Sequence, residues 1–197
     1  MLNELLSTVD ARSGDKIART LIEHFGSVRQ VLSADPIRLM DVKGVTPKHV
    51  DVIGACRRTM STALYEEAKE FSVIDCKAAV ERFVRMEIGA LKVEQVMCLF
   101  LDGGNRIVSW SMVSVGTVNQ ASVYPRMIIE KAIAHDAAGF IMVHNHPGGS
   151  LNASEADWAI TERLHKAGKL LDIPMLDHLI VTETKCASMR ESARWPS

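Results

Sequence analysis

The chain has 197 residues, which allows one large domain or a small domain followed by a medium one. Hydrophobic residues make up 47% and charged residues 24%, as is typical of a soluble globular protein. The formal net charge of −1 excludes a strong overall attraction to nucleic acid or anionic lipid. No apolar run has the length of a membrane span and no signal peptide is recognisable, so we expect no membrane association. The four cysteines are widely separated, which favours reduced thiols and a cytoplasmic location.

Residues 1 to about 70 are predicted to form a compact helical module. Three short helices are expected first: Asp15–Phe25, Ser27–Leu32 and Pro36–Met40. A tight turn then leads into a long helix from Thr46–Pro47 to about Phe71. We therefore place a helical domain at 1–72 and a second domain at 73–197.

The turn before the long helix resembles a helix-hairpin-helix, in which backbone N–H groups bind a DNA phosphate. The candidate nucleic-acid contacts are Lys43, Gly44, Thr46 and Lys48. The motif normally has a glycine where Thr46 stands, and Pro47 removes one N–H donor. Residues 1–70 also carry ten basic and ten acidic side chains, whereas non-specific DNA binding depends on net positive charge. A DNA-binding module and a simple helical packing module both remain as interpretations.

The second domain is predicted to alternate helices with strands. Its first half is expected to contain a helix over Asp75–Gly89, strands over Val93–Leu101 and Arg106–Val115, and a loop over 116–123. Its second half is expected to contain a helix over Pro125–Ala138, a strand over Phe140–Val143, a helix over Ser154–Ala167 stopped by Gly168, and a strand over His178–Thr182. The order predicts an α/β (α+β) fold with a mixed sheet flanked by helices. A site is expected outside the carboxyl end of a strand.

The most informative stretch is 139–157, which reads GFIMVHNHPGGSLNASEAD. Its apolar run ends on His144, Asn145 and His146, and successive strand side chains point to opposite faces. His144 and His146 are therefore predicted to share one face. The Pro-Gly-Gly sequence that follows ends the strand.

A helix is predicted to open at Ser154, because Ser154 and Asp157 fit the S-x-x-[DE] capping pattern. Asp157 then lies in the first helical turn, within reach of the two imidazoles. A catalytic zinc ion takes three such protein ligands and keeps a fourth position for water. Hydrogen-bonded core histidines are the alternative, but two histidines followed by an acid favour a metal site on His144, His146 and Asp157.

The spacing His144-x-His146, seven residues, Ser154, two residues, Asp157 resembles the JAMM (MPN-type) metalloprotease motif, which a distant upstream Glu completes. The flanking sequences HNHPGG and LDHLIV narrow the resemblance to the bacterial RadC family, which is also called the DNA repair protein RadC-like family. The resemblance implies a JAMM/MPN, cytidine-deaminase-like architecture. It also implies a Zn²⁺-dependent hydrolase acting on a peptide or isopeptide, in which Ser154 helps to stabilise the oxyanion.

The general base must come from another part of the chain, and the candidates are Glu87, Glu94 and Glu130. Glu94 occupies the place of the catalytic Glu in the resembling family, and Glu130 is second because its helix precedes the metal strand. His178 is either a neighbour of the site or a satisfied core histidine. The alternative function is a non-enzymatic, DNA-repair-associated module that binds nucleic acid or protein.

Overall fold

The computed structural model describes residues 1–115 and 124–197, so the predicted loop at 116–123 lies outside the described residues. The chain divides into two compact units, Met1–Ala63 and Leu64–Ser197. The division falls inside a long helix, ahead of the boundary at 72/73 that the sequence predicts at the end of this helix. None of the described helices is both long and apolar enough to cross a membrane.

The first unit is helical. Its elements are α1 (Leu2–Ser7), α2 (Gly14–Phe25), α3 (Val28–Ser33), α4 (Pro36–Met40) and α5 (Pro47–Glu70), the last of which continues into the second unit. The helix ends follow from local chemistry. Gly26 ends α2 at a φ of 93°, and Asp35 caps α4 by accepting from the Ile37 N–H. The predicted helices are confirmed, whereas the sequence does not predict α1.

The second unit combines helices and strands. Its elements are α6 (Lys77–Val84) with a π-helical turn (Arg85–Gly89), β1 (Gln95–Leu101), β2 (Ile107–Val115), α7 (Pro125–Ala134), β3 (Gly139–Asn145), α8 (Glu155–Leu170), β4 (Met175–Val181), β5 (Cys186–Ser188) and a 3-10 turn (Met189–Glu191). The strands form one sheet in the order β2-β1-β3-β4-β5. Only the β3–β4 pair is parallel among these strand pairs. The predicted mixed sheet is therefore confirmed.

Both faces of the sheet are buried. The face that carries Leu99, Ile141 and Leu179 packs against α6. The opposite face, with Phe100 and Phe140, packs against α7 and α8. Each fully buried phenylalanine contributes about 1.5–3 kcal/mol relative to an exposed one. β3 is buried along its whole length, which explains why its sequence is a continuous apolar run.

Two predicted helix ends are wrong. The helix predicted over Pro125–Ala138 ends at Ala134, and Asp136 just beyond it has a φ of 49°, which a helix cannot contain. Gly168 does not stop α8, which continues to Leu170. A Cβ atom at residue 168 would overlap the carbonyl oxygen of Ile173 and lie 3.3 Å from the Phe140 ring. Gly168 therefore allows α8 to approach the sheet closely. In the sequence, a glycine required for close packing cannot be distinguished from a glycine that ends a helix. The sequence does not predict the short β5, because three residues show no periodicity.

Candidate metal centre

Three side chains, from β3, from the residue that follows it and from α8, converge at the carboxyl end of β3. His144 is buried within this strand, His146 follows it, and Asp157 is buried in the first turn of α8. One potential ligand atom from each residue lies within 4.8 Å of the others. The His144 and His146 Nε2 atoms are 2.8 Å apart. Asp157 Oδ1 lies 3.2 Å from His144 Nε2, and Asp157 Oδ2 lies 3.5 Å from His146 Nε2.

The backbone around the two histidines explains why both rings point the same way. His144 is the sixth residue of β3, and His146 extends the alternation by two positions. The His146 N–H donates to the Val181 carbonyl at 2.9 Å, which continues the pairing with β4. Gly149 then turns the chain at a φ of 80°, a conformation that glycine adopts without strain.

The start of α8 fixes the carboxylate. Ser154 Oγ accepts from the Asp157 N–H at 3.2 Å, and the Ser154 N–H donates to Asp157 Oδ2 at 2.7 Å. These two bonds form a capping box, so the predicted helix start is confirmed. The Ser154 hydroxyl also donates to Asp157 Oδ2 at 2.7 Å. The positive end of the helix dipole further favours a negative carboxylate here.

The hydrogen position on His146 follows from its partner. His146 Nδ1 lies 2.9 Å from the Ser150 carbonyl oxygen, which can only accept a hydrogen bond. Nδ1 therefore carries the hydrogen, and in the neutral ring Nε2 presents a lone pair toward Asp157. On the other ring, His144 Nδ1 contacts His178 Nε2 at 2.7 Å.

The electrostatics are those of a site that attracts a positive charge. Burial raises the pKa of Asp157, but His144 and His146, whose Nε2 atoms can donate to its oxygens when the rings are protonated, outweigh this effect and hold the pKa well below its ordinary range. The hydrogen bond with Asp157 raises the pKa of His146, and the nearby charge of Glu94 adds to that rise. Burial lowers the pKa of His178 well below its usual value, so this ring is neutral at neutral pH.

These residues fit a zinc ion. Zinc is bound by imidazole nitrogen and carboxylate oxygen, and a catalytic site uses three such ligands. A lone pair on the His146 ring and a carboxylate face the same small volume as His144 Nε2. Such groups repel one another unless a cation lies between them. His144, His146 and Asp157 are therefore suited to hold a metal, although their role as ligands remains a prediction.

Asn145, between the two histidines, anchors the segment that precedes β1. Its amide nitrogen donates to the carbonyl oxygens of Leu91 and Val93, each at 3.2 Å, and its Oδ1 accepts from the Gln95 N–H at 2.7 Å. Asn145 is fully buried. Its role is not predictable from the sequence, since nothing in the local pattern shows which distant backbone it would contact.

This anchoring positions Glu94. Val96 pairs with His144 in the antiparallel β1–β3 register. Directly opposed residues share a face, so Glu94, two residues before Val96, lies on the face of the two histidines. Glu94 is exposed and close enough for its charge to raise the pKa of His146. This placement is compatible with the predicted role of Glu94 as the general base, which stays a prediction.

The other two candidate bases lie on helical elements. Glu130 is on α7 and forms a 2.7 Å ion pair with Arg126. Glu87 lies in the π-helical turn that follows α6. The β1–β3 register places Glu94 on the face of the two histidines, and its charge acts on His146. These two observations favour Glu94.

The candidate nucleic-acid residues occupy the turn before α5. Lys43, Gly44, Thr46 and Lys48 are all exposed, and Gly44 has a φ of 93°. The Thr46 N–H donates to Nδ1 of the buried His49 at 3.1 Å, and Pro47 has no N–H. At the start of α5, neither Thr46 nor Pro47 therefore offers a free backbone N–H to a phosphate. DNA binding by this turn stays a prediction.

Comparisons with known proteins agree on one family. A family model described as RadC-like JAB domain matches residues 74–194. A UPF0758 protein of Burkholderia mallei is 36% identical over 165 residues, which cover 84% of this chain and 59% of that protein. A UPF0758 protein of Polaromonas sp. is 35% identical over 176 residues, covering 89% of this chain and 79% of that protein.

A third relative extends the match. A UPF0758 protein of Cupriavidus taiwanensis is 35% identical over 181 residues, covering 92% of this chain and 79% of that protein. The chain spans 59% of the length of the Burkholderia mallei relative. The family model covers more than half of the chain, and the matched residues include all three converging side chains. The chain therefore belongs to the RadC family, with its RadC-like JAB domain at residues 74–194.

Proposed function

We propose that this chain is a zinc-dependent hydrolase of the JAMM type that cleaves an amide bond. The observation that carries the proposal is the convergence of His144, His146 and Asp157, whose ligand atoms lie within 4.8 Å of one another. These three residues would hold the ion. When bound, zinc supplies Lewis-acid activation of a water molecule, whose pKa falls to about 7 in such sites.

Glu94 is the proposed general base. It follows the anchored backbone of Val93 and lies on the histidine face of the sheet. Its carboxylate would accept the proton of the attacking water and later deliver it to the leaving amine nitrogen. Proton transfer by a positioned side chain contributes about 10²- to 10⁴-fold to the rate.

Ser154 is the proposed oxyanion donor. Its hydroxyl is held 2.7 Å from Asp157 Oδ2, so the hydrogen lies beside the ligand group. The hydroxyl has a single hydrogen, so it would turn from Asp157 Oδ2 to donate to the oxygen of a substrate carbonyl as negative charge develops on that oxygen. Removing one such donor typically costs about 10²- to 10³-fold in turnover.

The proposed substrate is a peptide or isopeptide. Ser154 and Glu94 are exposed and His146 is partly exposed, so the proposed base and oxyanion donor lie at the surface. A surface site admits a segment of a larger molecule. The JAMM resemblance of the ligand spacing supports the same substrate class.

A library of amide substrates tests the proposal without a known natural substrate. The zinc-loaded full chain is incubated with a proteome-derived peptide library and with isopeptide-linked peptides, and new amino groups are identified by mass spectrometry. We expect cleavage by the wild type, and a loss of at least about 100-fold in Glu94→Gln, which keeps the shape but not the base. Zinc content should be unchanged in this variant.

Glu130→Gln is the matched control, because it makes the same substitution at the candidate base that is ion-paired with Arg126. Its activity should equal that of the wild type. Full cleavage by Glu94→Gln would remove Glu94 from the mechanism. An absence of cleavage by the zinc-loaded wild type on every amide class offered would contradict the proposed activity itself.

A further inference from the structure

A buried chain of hydrogen bonds runs from His144 to α8. His144 Nδ1 lies 2.7 Å from His178 Nε2, and His178 Nδ1 lies 2.7 Å from Thr161 Oγ1. Thr161 Oγ1 in turn lies 2.6 Å from the backbone carbonyl oxygen of Asp157. His178 and Thr161 are both 0% exposed, so water does not compete for these bonds.

The direction of this chain is set at its far end. The carbonyl oxygen of Asp157 has no hydrogen to donate, so the 2.6 Å contact requires the Thr161 hydroxyl to be the donor. The hydroxyl has only one hydrogen. Thr161 Oγ1 must therefore accept from His178, which places the His178 hydrogen on Nδ1.

The hydrogen on His178 determines the hydrogen on the next ring. With its hydrogen on Nδ1, the neutral His178 ring presents a lone pair at Nε2, and this atom accepts from His144 Nδ1. His144 thus carries its hydrogen on Nδ1. Its Nε2 atom is the one that faces Asp157 and His146, and in the neutral ring it presents a lone pair.

We propose that His178 and Thr161 are positioning residues that hold His144 in the Nδ1–H tautomer, so that its Nε2 lone pair is always available to a metal. The chain of bonds starts at one proposed ligand and ends on the backbone of another, because Thr161 lies one helical turn after Asp157. It therefore ties β3, β4 and α8 together at the site. The inference rests on the proposed zinc site, but its hydrogen positions are measurable without a metal.

The first experiment reads those hydrogen positions. Long-range ¹H–¹⁵N spectra of the ¹⁵N-labelled, metal-free full chain distinguish Nδ1–H from Nε2–H rings, and His178→Gln and His144→Gln identify the two signals. We expect both His178 and His144 to carry a hydrogen on Nδ1. A His178 ring with its hydrogen on Nε2 would overturn the inference, whether or not the chain binds zinc.

The second experiment measures the consequence for metal binding. Thr161→Val removes the hydroxyl at nearly constant volume and leaves the His178 hydrogen without an acceptor. Both ring tautomers then become accessible, and Zn²⁺ affinity should fall by about 10- to 100-fold, as for other partners of metal ligands. Thr161→Ser restores the hydroxyl and should restore both the affinity and the Nδ1–H signal of His178.

Thr20→Val is the matched control. The Thr20 hydroxyl donates to the Lys16 carbonyl at 3.0 Å, the same i to i−4 bond on α2 of the first unit. This variant should leave the affinity and the His178 signal unchanged. Equal Zn²⁺ affinity in Thr161→Val and the wild type would also overturn the inference. A wild type that binds no Zn²⁺ but shows His178 as Nδ1–H would instead contradict the proposed function and leave the hydrogen-bond chain intact.

Discussion

Asn145 provides a sharp test of how the fold places the proposed base. Asn145→Ala removes three hydrogen bonds, to Leu91, Val93 and Gln95, from a fully buried side chain. At about 0.5–1.5 kcal/mol each, these bonds sum to about 1.5–4.5 kcal/mol. Leu91 is partly buried and Val93 is 40% exposed, so water can replace part of what is lost. We therefore expect a destabilisation of about 2–3 kcal/mol.

The assay is urea unfolding of the full chain in the presence of a chelator, so that metal does not mask the difference. The control is Asn152→Ala, at an exposed loop position between β3 and α8, which should change the free energy of unfolding by less than about 0.5 kcal/mol. Asn145→Ala should also lower turnover while zinc stays bound, because residue 94 is no longer held. A loss below about 0.5 kcal/mol, equal to that of the control, would refute the reasoning.

Three further predictions follow from single contacts. Gly168→Ala should destabilise the chain by about 1–3 kcal/mol in the same assay, because its Cβ would overlap the Ile173 carbonyl oxygen; unchanged stability would contradict the packing. Ser154→Ala removes the helix cap and should cost about 1 kcal/mol, whereas Ser154→Asn should recover most of it. The raised pKa of His146 means that its protonation stabilises the metal-free fold fully below pH 6.5, and this stabilisation is lost as pH rises through the raised pKa. Zn²⁺ binds only the deprotonated ring and therefore competes with the proton for His146. The zinc-induced rise in Tm should grow from about pH 5.5 to about pH 8. A rise in Tm that does not depend on pH would contradict this competition.

The local part of the site was predictable from the sequence. His144, His146 and Asp157 lie within one short stretch, where strand alternation and a capping pattern are enough to bring their side chains together. The end of α2 at Gly26 and the start of α4 at Asp35 were predictable for the same reason. Each of these helix boundaries depends on residues within one turn.

The partners of the site were not predictable in the same way. His178 reaches His144 only because β4 pairs with β3 in parallel, with Met142 opposite His178. Thr161 reaches His178 only because α8 packs on that face of the sheet. Asn145 likewise contacts backbone about 50 residues earlier in the chain. Strand register and helix packing determine these contacts, and neither leaves a local pattern in the sequence.

The most direct test of the central claim is the metal content of the purified full chain, measured by mass spectrometry after loading with Zn²⁺ and removal of excess metal. The control is the double variant His144→Ala/His146→Ala, with circular dichroism to show that it folds. We expect about one zinc per wild-type chain and none in the double variant, because a lone carboxylate does not retain the ion. A wild type without zinc, or a double variant that keeps a full equivalent, would contradict the metal centre.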